Sequence, residues 1–93
     1  MSTRVTVKDL ESIVARINRI TNNPLSAYTM ESPGKYVAQV GNYHLSQAYG
    51  GVSLHQMVNT SGGVRDVLNC GHVAKKDLQR MMFSYIAGLQ ENQ

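Results

Sequence analysis

The sequence predicts an α+β domain, with an N-terminal helix, an antiparallel three- or four-stranded β-meander and a C-terminal helix, both helices lying on one sheet face. Three observations predict it. Apolar residues recur at three- and four-residue spacing near the start of the chain, alternate with a period of two through its middle, and return to helical spacing toward its end. Residues 1–93 read as one such domain, with no internal repeat, low-complexity tract or linker.

The first helix begins at a capping-box-like Thr6-Val-Lys-Asp9. Asp9 and Glu11 sit in the early turns and Arg16 and Arg19 late, as the helix dipole prefers. Leu10, Ile13, Val14, Ile17 and Ile20 form one apolar stripe, and Asn22-Asn23-Pro24 ends the helix. Between Leu25 and Asn59, Tyr28 to Met30 is a weak strand, Pro33-Gly34 a turn, Tyr36 to Val40 a better strand, and Tyr43 to Tyr49 and Val52 to Val58 two more. With Gly50-Gly51 as a two-residue hairpin loop, Tyr49 faces Val52, Gln47 faces Leu54, Leu45 faces Gln56 and Tyr43 faces Val58. His44, Ser46, Ala48, Ser53, His55 and Met57 then take the other face, with His44 and His55 as diagonal neighbours. Thr60 to Gly63 is a loop, Val64 to Leu68 a short strand or turn, and Asn69-Cys-Gly-His72 a second connection. The second helix runs from about Val73 to Leu89 on the stripe Leu78, Met81, Met82, Tyr85, Ile86 and Leu89, with Gly88 and a polar tail fraying its end.

Composition bounds the class of function. At 42% hydrophobic and 16% charged, with no long apolar run, the chain is expected to be soluble and compact rather than disordered or membrane-spanning. One cysteine excludes an internal disulfide framework, and with no apolar signal segment at the start a reducing intracellular compartment is expected. Nine basic against six acidic residues leave a net charge of +3, which permits an anionic partner.

No Asp, Glu, Lys or Arg occurs from Tyr36 through Val64, so the charge is concentrated in the helices and their flanks. A neutral Tyr- and Gln-rich sheet is either simply solvated or able to meet a protein partner without desolvating charge. On the first helix Lys8, Ser12, Arg16 and Arg19 point away from the apolar stripe, with Arg4 just before it. On the second, Lys76, Arg80 and Phe83 share the outward side. Basic residues beside an aromatic suit a phosphate backbone and a stacked base; equally, they form an ordinary solvated face. Lys35, Arg65 and Lys75 add charge in loops and at ends, where pattern alone does not locate them.

His44, His55, Cys70 and His72 are candidate metal ligands by type, but their spacing matches no zinc ribbon or finger, and no metal is expected. Cys70 as a nucleophile needs His72 and a carboxylate, Asp66 being nearest in sequence; neighbours in one tight loop rarely converge, so no catalytic residue is assigned. Gly50-Gly51 and Gly62-Gly63 lack the spacing of a phosphate-binding loop and read as turn glycines. The residues therefore suggest a binding protein, not an enzyme, with no cofactor and no small-molecule substrate.

The strings Val5 to Pro24, Gly41-Asn-Tyr-His-Leu-Ser46, Ala48-Tyr-Gly-Gly51 and Gly71-His-Val73 resemble a group of small bacteriophage and prophage proteins, the anti-CRISPR proteins directed at type I-F systems. The resemblance implies a protein of the host bacterial cytoplasm that binds the multi-subunit surveillance complex, its Cas subunits and guide RNA, and stops target DNA from pairing with the guide. Many anti-CRISPR proteins are acidic DNA mimics. A net charge of +3 favours instead steric wedging with contacts to guide RNA or to acidic protein. A small phage nucleic-acid-binding module and an accessory inhibitor of another host protein stay open as alternatives. The residues expected at the partner or RNA surface are Arg4, Lys8, Arg16, Arg19, Lys35, Lys76, Arg80 and Phe83.

Overall fold

The computed structural model describes residues 4–91. Its elements run α1 (Val7–Ile20), β1 (Tyr28–Ser32), β2 (Lys35–Ala38), β3 (Tyr43–Ala48), β4 (Gly51–Met57), β5 (Val64–Asp66) and α2 (Lys75–Glu91), an α+β fold. The capping box forms: Asp9 N–H donates to Thr6 Oγ1 at 3.1 Å and Thr6 N–H to Asp9 Oδ2 at 2.9 Å. At the other end Asn22 is left-handed (φ 59°), and the amides of Asn22 and Asn23 bond back to Arg19 and Asn18 carbonyls. That geometry satisfies the last-turn acceptors, and Pro24 prevents resumption. α2 starts two residues later than its pattern predicts and runs through Gly88 to Glu91 without fraying there.

The strands form two sheets instead of one meander, β1-β2 and β3-β4-β5, all antiparallel. Gly41 is left-handed (φ 96°) and separates them. Its N–H donates to the Met57 carbonyl at 2.9 Å, so the chain turns out of the first hairpin before β3 begins.

The β3-β4 turn is Tyr49-Gly50, not Gly50-Gly51. Both residues are left-handed, φ 53° and 74°, as a twist-matched two-residue hairpin turn requires. Gly51 lies in β4 opposite Ala48, at a place only glycine fits, since a Cβ there would stand 2.9 Å from His72 C and Val73 O. Pairing therefore moves by two residues: Gln47 faces Val52, Leu45 faces Leu54, Tyr43 faces Gln56, and His44 stands directly opposite His55. A two-residue shift keeps the side chains within β3 and from Val52 to Met57 on their expected faces. Tyr49 and Val58, both expected on the apolar face, leave it: Tyr49 is in the turn and 97% exposed, and Val58 lies beyond β4 and is exposed, whereas Met57, expected on the polar face, is buried.

Both helices cover the same face of the three-stranded sheet. Leu10, Ile13, Val14 and Ile17 of α1 and Leu78, Met82 and Ile86 of α2 close one core with Tyr43, Val52 and Leu54. At about 25 cal/mol per Å² of apolar area, this burial is what holds two short helices that would be marginal alone. Asn18 is buried at the border of the apolar face, beside Val14, which periodicity did not foresee. Its Nδ2 donates to the Tyr43 carbonyl at 3.0 Å, and its Oδ1 accepts from Tyr43 N–H at 2.7 Å.

Candidate functional site

The helical layer carries the basic surface. Because α1 and α2 pack side by side on one sheet face, their outward sides belong to one side of the molecule. Arg4, Lys8, Arg16 and Arg19 in and before α1, and Lys76, Arg80 and Phe83 on α2, are all exposed. Arg80 Nη2 lies 3.5 Å from Asp77 Oδ1; among the described residues Lys8, Arg16, Arg19 and Lys76 make no ion pair. An unpaired surface cation is available to an anionic partner, whereas an exposed pair holds its charge only loosely.

Lys35 is not part of this group. It stands at the tip of the β1-β2 hairpin, where Nζ lies 3.7 Å from Glu31 Oε2. Arg65, unplaced by sequence, lies instead on the helical side. Tyr43, Gln56 and Arg65 form a row across the sheet, and Arg65 Nε donates to Gln56 Oε1 at 2.9 Å. The row ends near the hydroxyls of Tyr43 and Tyr85, which are 2.7 Å apart. Burial, then the bond to Tyr85, pushes the Tyr43 phenol up to about 12, so it stays neutral despite the nearby guanidinium.

The opposite sheet face holds a row of rings. His44 and His55 are 6.0 Å apart between centroids, His55 and His72 5.9 Å, and His72 and Tyr49 5.7 Å, each pair edge-to-face. His72 joins the row because the bridge between Val52 and Val73 brings the end of the 67–73 connection back beside β4. Sequence spacing could not show this, since the connection follows from long-range pairing. Burial, followed by the charge of His55, holds His44 below the usual imidazole range.

Ser46 Oγ and His72 Nε2 share a hydrogen bond of 3.0 Å. A serine on a histidine supplies two members of a hydrolytic triad; the third is a carboxylate orienting the histidine. Among the described residues none hydrogen-bonds His72. Asp66, across from His55, accepts from the amides of Asn69 at 3.1 Å and Gly71 at 2.8 Å. Burial raises its pKa, but these bonds together with the Ser53 hydroxyl nearby outweigh it and leave the carboxyl below its usual range. The Ser53 hydroxyl is close enough to act electrostatically, although its buried Oγ has no partner in good hydrogen-bond geometry. Cys70 is separate from His72, its Sγ–H directed at the Gly71 carbonyl; burial, then Asp66, pushes the thiol up and away from a reactive thiolate. Among the described residues no three His, Cys, Asp or Glu side chains converge to hold a metal ion, and no helix is long and apolar enough to cross a membrane.

Comparison with protein-family models, with curated proteins and with solved structures found no match.

Proposed function

We propose that this protein is a stoichiometric inhibitor that binds the type I-F RNA-guided surveillance complex and keeps target DNA from the guide. The resemblance of Val5 to Pro24 and the three shorter strings supplies the target. What supports the mode of binding is one observation: basic side chains without ion pairs are exposed on both helices of one layer, with Phe83 exposed beside Arg80. Lys8, Arg16, Arg19 and Lys76 present charge to guide phosphates or to acidic protein, and the bulk of the domain occupies the path of the incoming strand. Lys35, with Glu31 beside it at the hairpin tip, lies outside this basic layer.

Size-exclusion chromatography with the purified guide-loaded complex tests the reading. The protein is expected to co-elute, and titration against a fixed amount of complex should abolish DNA binding with a break near a small whole-number ratio. Elution as free protein, with DNA binding unchanged, would overturn it. Strong salt-dependent binding to naked RNA or DNA, without preference for the complex, would favour the nucleic-acid-binding module.

A further inference from the structure

Beside the helical layer lies a strand edge that, past its first rung, no described residue covers. In the β3-β4 ladder Tyr43 turns its N–H and C=O away from β4, toward the Asn18 amide. Alternation along an antiparallel strand gives Leu45 and Gln47 the same outward orientation, and neither backbone has a partner among the described residues. The Asn18 side chain thus occupies the first rung as an added strand would, and the next two rungs are open.

The other outer strands are protected and β3 is not: β2 has four residues, begins at the charged Lys35, and gives its Ala38 N–H to the Thr60 carbonyl at 3.2 Å. β1 carries a register shift between Met30 and Ser32 and a Glu31–Lys35 pair, while β5 is three residues long and bears Arg65 and Asp66. β3 has six residues with no charge, proline or bulge. Alongside it runs a cavity of about 190 Å³ between β3 and the flank of α1. Val14, Ala15, Leu25 and Leu45 give it apolar walls, and Glu11, which makes no ion pair, is its one charged residue. Leu25 is exposed at 60%, an apolar side chain with room against it.

We infer that the open edge of β3 and its groove against α1 form a docking site for an extended segment of a partner protein. The segment adds a strand to Leu45 and Gln47, seats an apolar side chain between Leu25 and Ala15, and sets a cationic one by Glu11. A second copy of the chain fits less well. Paired strands lie about 4.8 Å apart, whereas packed helices need about 8–10 Å, and α1 already reaches the β3 edge through Asn18. Two such helices would meet before the strands paired. The site uses neither the basic residues of the helical layer nor any CRISPR component, so it stands or falls separately from the proposed inhibition.

The test titrates isotope-labelled protein with a capped peptide of about nine alternating valines and threonines carrying one lysine. The expected result is saturable shifts and slowed exchange at the Leu45 and Gln47 amides. Methylating alternate peptide nitrogens should weaken binding about tenfold or more, and so should Gln47→Pro, which removes one outward N–H without touching the bonds to β4. Ala15→Trp, filling the groove from α1, should do the same and serves where Gln47→Pro fails to fold by circular dichroism. Glu11→Lys should lower affinity severalfold for the lysine peptide and not for its neutral analogue. The inference is overturned by absence of saturation at these two amides, by equal binding of the methylated peptide, or by equal binding to folded Gln47→Pro and Ala15→Trp. Peptide-independent dimerisation that Gln47→Pro abolishes would also overturn it, by making a second copy the occupant.

Discussion

At the scale of single residues, His44 links position to pH. Burial and then His55 oppose its protonation, while Asn42 beside it favours the charged form less strongly. The other groups facing this row are His72 beyond His55 and the carboxyl of Asp66 across from it. With the folded pKa below the ordinary 6.5, the unfolded chain takes up the proton first, so stability is lost as pH falls through that value. The melting temperature should therefore drop between about pH 7.5 and 5.5, and His44→Gln should remove part of the drop. A pH-independent midpoint in that window would contradict the assignment. Asp66 and Asp9 act in a separate range. Their lowered carboxyls contribute stability above the ordinary 3.8, and this is lost as pH falls through their folded values.

At the scale of elements, the β3-β4 turn sets Tyr49 and Gly51, two residues apart, against each other. Gly51 cannot accept a Cβ, since it would meet the backbone of His72 and Val73 at 2.9 Å, the place where the connection into α2 bonds to Val52. Gly51→Ala should destabilise by about 1–3 kcal/mol in urea unfolding. Tyr49 is a large residue held left-handed while 97% exposed, a conformation that asparagine adopts more readily. Tyr49→Asn should stabilise by up to about 1 kcal/mol, offset in part by the lost ring contact with His72. Opposite signs from Tyr49 and Gly51, on either side of Gly50, are the expected outcome; equal losses would mean that the ring contact outweighs the backbone strain. An exposed aromatic kept at a strained position has a surface worth probing with partners, and the same variant serves that purpose.

At the scale of the whole molecule, the two helices put separate basic stripes on one side, so reversals on different helices should act on one binding event. Arg16→Glu with Arg19→Glu, and Lys76→Glu with Arg80→Glu, should each weaken association with the guide-loaded complex by about tenfold or more, with a shallower salt dependence. His44→Ala and His72→Ala, on the opposite face, should change it little once folding is confirmed. Affinity measured by interferometry at several salt concentrations distinguishes these. Loss confined to the histidine variants would place the contact on the ring-bearing face. Arg65→Glu belongs in the same series, because the sheet carries this guanidinium to the helical side.

The helices, the caps of α1 and the outward direction of the charges were legible in the sequence, because each depends on neighbours three or four residues away; the ends of α2 were not. Thr6 and Asp9, the stripe from Leu10 to Ile17 and the exposure of Arg16, Arg19, Lys76 and Arg80 all follow from local periodicity. Face parity along β3 and β4 was legible for the same reason. What local pattern does not contain is pairing at a distance. Only the tertiary structure decided that Tyr49-Gly50 is the turn, since the choice rests on the approach of His72 and Val73 to Gly51. It also decided the split into two sheets, the row from His44 to Tyr49, and the position of Arg65. Asn18 shows the reason most directly. On the helix it is a polar residue bordering an apolar stripe, and only the edge of β3, 25 residues on, gives its amide two partners and leaves the next two rungs free.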